Sequence, residues 1–444
     1  MEKNIKPVSK ESMDKLYIRM GNTISLYTTI LQEDLKYLSE INRQTETANM
    51  NTKQSLTILK NIIELHSSVL YTIIEVAAAL RAEFRSEINL EKRANLKYLV
   101  AIISDFYKAT FLKPQNSLWN KVTLFLSTLN IEEINKLIDV INKNRSIYEN
   151  TYYINDKDNR DISVHYDLDV ELLYNYISNI SESDEVKRVC CFLDIALPLT
   201  EVLSISFALI NLNIRIDNKI FSEKVSDTQL LNSLKESYPQ IGKNIQCLST
   251  RLERVMHQYH LLHKPSSKIL SLLERDSVRK LKEKSECIEL ALLLNYIYLD
   301  LSTAIRGYMS SECYIEKRIN LLRINVIIYE GYKKIYHQKG KENSTLWEHY
   351  IVCPISHIKN ESIKSELFSV DRTLKSYHID DIRHKYIHMR NKNKFNLPDL
   401  WDTILTMDSY SELNKSKDFL QLLTKVIRLN QISMHIIFDE DLSI

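Results

Sequence analysis

Shifted by 225 positions, the sequence lies on itself without a gap: IIELHSSVLYTIIEVAAALRAEFRSEINLEKRANL (62–96) matches CIELALLLNYIYLDLSTAIRGYMSSECYIEKRINL (287–321) at 13 of 35 positions. The shared residues include Glu64/Glu289, Tyr71/Tyr296, Arg81/Arg306, Glu87/Glu312 and the run Glu91-Lys92-Arg93 against Glu316-Lys317-Arg318. The match resumes at Tyr107-Lys108 against Tyr332-Lys333, then at NSLW (116–119) against NSTLW (343–347). A fixed period of this length marks a duplicated structural unit, so whatever one copy folds into, the other must resemble. Within each copy the apolar residues recur at three- and four-residue steps, as in Ile63, Val69, Ile73, Val76 and Leu80, which is the spacing of a helix face. The stretches Asn95–Phe111 and Asn320–Tyr336 are apolar enough for a central helix in each copy. Only 5 Gly and 7 Pro punctuate 444 residues, which favours long helices over strands and turns. The expectation is an all-α fold of two tandem helical modules, 1–222 and 223–444, packed as a pseudo-symmetric pair.

Loops are signalled at 113–116, 155–161, 263–267, 337–344 and 390–399, where Gly, Pro, Asn and charged residues cluster. Lys+Arg 59 against Asp+Glu 57 leaves no global field to draw in nucleic acid or an anionic membrane, so any RNA contact must come from a local patch. The first residues, MEKNIKPVSKESMDK, lack an apolar centre, and no run of about 18 uninterrupted apolar residues follows. This predicts a cytoplasmic protein with no membrane partner. The cysteines Cys190, Cys191, Cys247, Cys287, Cys313 and Cys353 form no CxxC pair and no zinc spacing, so they are expected as core filler, with no metal and no cofactor.

Two further strings repeat. Arg160-Asp161-Ile162-Ser163-Val164-His165 is an Arg with a His five places on, and Arg383-His384-Lys385-Tyr386-Ile387-His388 repeats it 223 residues later. With 20 Arg and 12 His, chance supplies roughly half of one such pair, so one match would carry little weight and two at equivalent positions carry much more.

With these flanks, NRDISVHYDLD (159–169) and IRHKYIHMRNK (382–392), the chain resembles the HEPN superfamily. That resemblance implies compact helical bundles and a metal-independent endoribonuclease whose Arg-x4–6-His motifs face each other across a groove between two modules. It implies Arg160/His165 opposite Arg383/His388 as catalytic residues, and a toxin or anti-phage defence role. Family members often carry Asn after the Arg; here Asp161 and His384 stand there, as supporting residues of open role.

The chemistry of the residues agrees. RNA is cut without metal when its 2′-hydroxyl attacks the adjacent phosphate, leaving a 2′,3′-cyclic phosphate. That needs a group to move protons near neutral pH and a cation to stabilise the phosphoryl oxygens. His165 or His388 suits the first role, and the planar guanidinium of Arg160 or Arg383 the second. The second copy is the more basic, with Lys385, Arg390, Lys392 and Lys394 as the best RNA-tracking patch, whereas Asp156, Asp158, Asp161, Asp167 and Asp169 flank the first.

Other repeated residues carry plainer readings. Arg81/Arg306 and the Glu-Lys-Arg runs fit a salt-bridged helix face or module interface better than RNA ligands, at roughly two to one. Trp119 and Trp347 read as core anchors. Glu64/Glu289 and Glu75/Asp300 are balanced between lining the groove and a structural role. Beyond RNA, the partners expected are a second copy of the chain and an antitoxin or regulatory protein. The rival to catalysis is a non-catalytic helical scaffold that binds RNA or a nucleotide, or regulates a partner.

Overall fold

The computed structural model describes residues 10–47, 50–112, 117–153, 170–210, 275–337, 345–376 and 397–438, together with parts of 239–257. No β-strand occurs among the described residues, and the fold is all-α. The first half contributes α1 (Lys10–Thr47), α2 (Met50–Arg85), α3 (Asn89–Phe111), α4 (Leu118–Leu126), α5 (Glu132–Tyr148), α6 (Val170–Asn179) and α7 (Glu182–Ile210). The second contributes α8 (Arg275–Ser310), α9 (Tyr314–Tyr332), α10 (Glu361–Ser376), α11 (Leu397–Thr406) and α12 (Ser409–Phe438).

The order of helices repeats with the sequence. α2 ends at Arg85 and α8 at Ser310, while α3 begins at Asn89 and α9 at Tyr314, both at the offset of 225. Each begins six residues before its most apolar stretch, so the Glu-Lys-Arg run lies inside the helix. Asn95 and Asn320 therefore cap nothing. Each donates Nδ2–H to a serine of the preceding connection, Ser86 or Ser311, both at 3.1 Å. Trp119 and Trp347 are fully buried, and each indole N–H is donated to the next long helix, to Asn142 on α5 (3.2 Å) and Asp371 on α10 (3.0 Å). They are core anchors, and their partners explain why a polar N–H is tolerated there.

Proline decides one helix contact. Pro198 lies inside α7, has no N–H, and so leaves the carbonyl of Asp194 without its intrahelical donor. Asn144 on α5 donates Nδ2–H to that oxygen at 2.7 Å, turning a helix defect into a link between α5 and α7. Pro398 sits in the first turn of α11, where its missing N–H costs nothing, so helix begins at Leu397 and the loop expected to run to Asp399 ends before it.

Three helices are apolar and long enough to cross a membrane by length and composition, Leu56–Arg85, Glu182–Ser206 and Lys282–Ser310, against the expectation that no segment would qualify. In the first and third, 89% of the apolar window is buried inside the fold, against 44% in the second. The reason is visible on α2. Ile62, Val69, Ile73 and Val76 face the core with α3, α5 and α7, while Leu59, Ile63, Leu70 and Ile74 face α1 and α11. A helix covered on both sides is apolar all round.

A second correction concerns the cysteines. Cys287 is buried, and burial pushes its thiol up to about 12, but Cys190 and Cys353 are exposed on outer helix faces. The expected loops at 155–161 and 263–267, the module boundary at 222 and Cys247 lie outside the described residues, as does 113–116, which α3 and α4 flank.

Candidate functional site

The two halves meet along α2, α3, α8 and α9, and the meeting is reciprocal. Arg81 pairs with Glu316 (Nε to Oε1, 3.4 Å) and Arg306 pairs with Glu91 (Nε to Oε1, 2.7 Å). These are the same two repeat positions exchanged between halves. Tyr98 and Arg323 are equivalent to each other at the offset of 225, and the Arg323 guanidinium lies 3.8 Å over the Tyr98 ring. A position that touches its own equivalent marks the axis. Arg323 also donates to Asn95 Oδ1 at 2.7 Å and to the Ala94 carbonyl at 3.3 Å.

Both repeated arginines are also threaded over a glycine. A Cβ built on Gly21 of α1 would overlap the Arg81 guanidinium, and one on Gly242 would overlap that of Arg306. Arg81 donates to the carbonyl and hydroxyl of Tyr17 at 3.0 and 2.8 Å, and its guanidinium stacks on that ring at 3.9 Å. The repeat thus reaches further upstream than the 225 offset reveals. Tyr17-x3-Gly21-x2-Ile24 matches Tyr238-x3-Gly242-x2-Ile245 at an offset of 221, and the buried Leu31 and Leu35 correspond to Leu252 and Met256. A change of four residues in the offset hid this stretch from an ungapped comparison.

The electrostatics of the seam are those of buried charge. Burial raises the Glu91 carboxyl, opposed by Arg306, and raises that of Glu316, opposed by Arg85 and Arg81. Lys97 Nζ stands 2.5 Å from Asp300 Oδ2, both almost wholly buried, with burial lowering the Lys97 pKa against the pull of Asp300. This pair is not reciprocated, because Leu322 and Glu75 occupy the equivalent positions. Arg318 donates to the Met407 carbonyl, tying α9 to the connection between α11 and α12.

Arg160, Asp161, His165, Arg383, His384, Lys385, His388, Arg390, Lys392 and Lys394 all lie outside the described residues. The helices that follow the two motifs are described, and each touches both halves, α6 packing on α3 and α8, and α11 packing on α9 and, through Trp401, on α2. On α6, which begins five residues after His165, Leu173 and Ile177 join a core made mostly of second-half residues. On α11, which begins nine residues after His388, Leu397, Leu400, Trp401 and Ile404 join α1 and α2 of the first half. Trp401 meets Tyr71 edge to face at 6.1 Å. The helices before the motifs, α5 and α10, stay with their own half through Trp119 and Trp347.

Of the polar residues weighed for the groove, Asp300 is taken by Lys97, and Glu75 is buried within α2. Glu64 is raised to about 7 by burial, with Lys60 and Lys121 opposing. One cluster lies apart from the seam. His66 on α2 places Nδ1 2.8 Å from Asp34 Oδ2 on α1 and Nε2 3.2 Å from Ser204 Oγ on α7, and Ser67 donates to the same carboxylate at 3.3 Å. Ser204 stands in the interior of a helix whose N–H groups are spent on the helix itself, so the set has no local oxyanion donors and serves to tie three helices together.

Comparison with protein families, with curated proteins and with solved structures gives no match.

Proposed function

We propose that the chain is a metal-independent endoribonuclease built from two tandem HEPN-like modules paired about the axis at Tyr98 and Arg323. The observation that supports this most is that α6 and α11, the helices that follow the two motifs, each reach the opposite half as well as their own. Each motif-bearing segment runs from a helix held by its own half to one that touches both halves. On this proposal Arg160/His165 and Arg383/His388 share one groove at the seam that these helices reach. In this reading His165 and His388 move the protons at the 2′- and 5′-oxygens, and the two arginines hold the phosphate. Lys385, Arg390, Lys392 and Lys394 bind the flanking RNA, with Asp161 and His384 in support. The setting is the cytoplasm, as a toxin or defence effector restrained by a partner protein.

The test is cleavage of a labelled RNA pool in EDTA by wild type, His165→Ala, His388→Ala and the double variant. Cutting that vanishes in the double variant, with ends that ligate or label only after removal of a cyclic phosphate, supports the proposal. Equal behaviour of wild type and double variant refutes it and leaves the helical scaffold that binds RNA without cutting it.

A further inference from the structure

The first half fills the space between α1, α2 and α7 with the imidazole of His66. In the second half the equivalent space is open. A cavity of about 690 Å³ lies where Val255 stands for Asp34, Ala291 for His66 and, at an offset of 227 set by Phe192-Leu193 against Phe419-Leu420 and Ile205-Ser206 against Ile432-Ser433, Gln431 for Ser204. The same packing position is therefore filled in one copy and borders a hollow in the other, where a methyl stands in place of the ring. Its volume falls in the range of small-molecule sites.

The wall is mixed in a specific way. Asn295, Asn430 and Gln431 supply three carboxamides, Arg254 and His435 stand exposed at the rim, and Phe438 offers an aromatic surface. Arg254 makes no ion pair among the described residues. Asn295 spends its N–H on the Ala291 carbonyl at 2.5 Å, while its Oδ1, deep in the wall, has no hydrogen-bond partner. Asn430 is oriented by its bond to Cys287. Carboxamides present a donor and an acceptor side by side, which matches the edge of a nucleobase. An aromatic face suits the ring plane, and an exposed guanidinium suits a phosphate.

We propose that this cavity is a binding site for a mononucleotide, with the base among the carboxamides against Phe438 and the phosphate at Arg254. It is a site distinct from the paired motifs and does not rest on the ribonuclease reading. The seam uses neither α12 nor Arg254, so occupancy would act on the second half alone.

The test is equilibrium dialysis of the full chain against labelled AMP, GMP, CMP, UMP and inorganic phosphate, repeated with Arg254→Glu and Ala291→His. At least one nucleotide is expected to bind with Kd below about 1 mM, and each substitution to weaken it by about tenfold or more. Ala291→His installs the residue the fold accepts in the other half, and Arg254→Glu sits on the surface, so one variant reports even if the other misfolds. Binding must persist in the His165→Ala/His388→Ala chain. No binding of any nucleotide, inorganic phosphate bound as tightly as the nucleotides, binding indifferent to Arg254→Glu in a folded variant, or loss with the motif histidines would each overturn the proposal.

Discussion

Removing Asp300 while leaving Lys97 in place should be among the most damaging single changes at the seam. Lys97 is 1% exposed and lies 2.5 Å from Asp300 Oδ2. A buried ion pair contributes little over an apolar pair of like volume, but an unpaired buried charge costs about 3–5 kcal/mol. Asp300→Leu and Lys97→Met should therefore each destabilise by about that amount, and the double variant should return to within about 2 kcal/mol of wild type. Urea unfolding is the better assay. At about 2.1 cal/mol/K per residue over 444 residues, a loss of this size moves Tm by only about 3–5 °C if the chain melts as one unit.

The pH dependence adds a second constraint. Burial lowers the folded-state pKa of Lys97, and without Asp300 nothing opposes it. Between that lowered value and the ordinary lysine range the unfolded chain binds more protons than the folded one, so stability rises with pH. The penalty of Asp300→Leu should shrink when the unfolding is repeated at about pH 9.5, and that of Lys97→Met should not. Additive single effects, or a penalty indifferent to pH, would show that the ammonium is not buried as a charge and would refute the argument.

Glu83 is 1% exposed, and burial, reinforced by Glu182, raises its carboxyl to about 7. Since the folded state holds the proton longer, stability is lost as pH climbs from the ordinary carboxylate range through 7. Glu83→Gln should thus stabilise by up to about 3 kcal/mol at pH 8 and by little at pH 4, as read by urea midpoints; a gain equal at both would contradict the assignment. Gly21→Ala and Gly242→Ala each set a methyl against an arginine of the seam and should each cost about 1–3 kcal/mol, with Gly331→Ala, which meets only Ile297, as the non-arginine control. If Arg81→Met rescues Gly21→Ala but not Gly242→Ala, and Arg306→Met does the reverse, the threading is correct.

The all-α fold was readable, and the charged positions of the seam were readable as salt-bridged, as a helix face or a module interface, where one residue type carries one physical constraint. The Arg81/Arg306 and Glu91/Glu316 positions recur because each half supplies what the other must neutralise, so conservation between copies mapped onto the interface. Trp119 and Trp347 were legible for the same reason. Lys97, Tyr98 and Arg323 were not, because residues at or near an axis meet partners of the other copy and are free to differ. The cavity was invisible too: Ala291 reads as a good helix former, and only the position of His66 shows what it leaves out.

That asymmetry argues for what tandem linkage contributes. Were the seam formed by two identical chains, position 98/323 would meet itself, and two arginines there would repel across a buried axis. In one chain the position diverges into an Arg over a Tyr ring, and the neighbouring positions into Lys97 with Asp300 on one side and Leu322 with Glu75 on the other. Such a seam favours the unlike pairing over a like one. The halves can then specialise: the basic flank falls on the second motif, the acidic flank on the first, and the open cavity only where His66 has no counterpart. Restoring like for like at the axis, with Tyr98→Arg, should therefore weaken the pairing of the halves while leaving each core intact, giving two separated urea transitions where wild type gives one. A single transition at the wild-type midpoint would mean that the axis contact contributes nothing to the pairing.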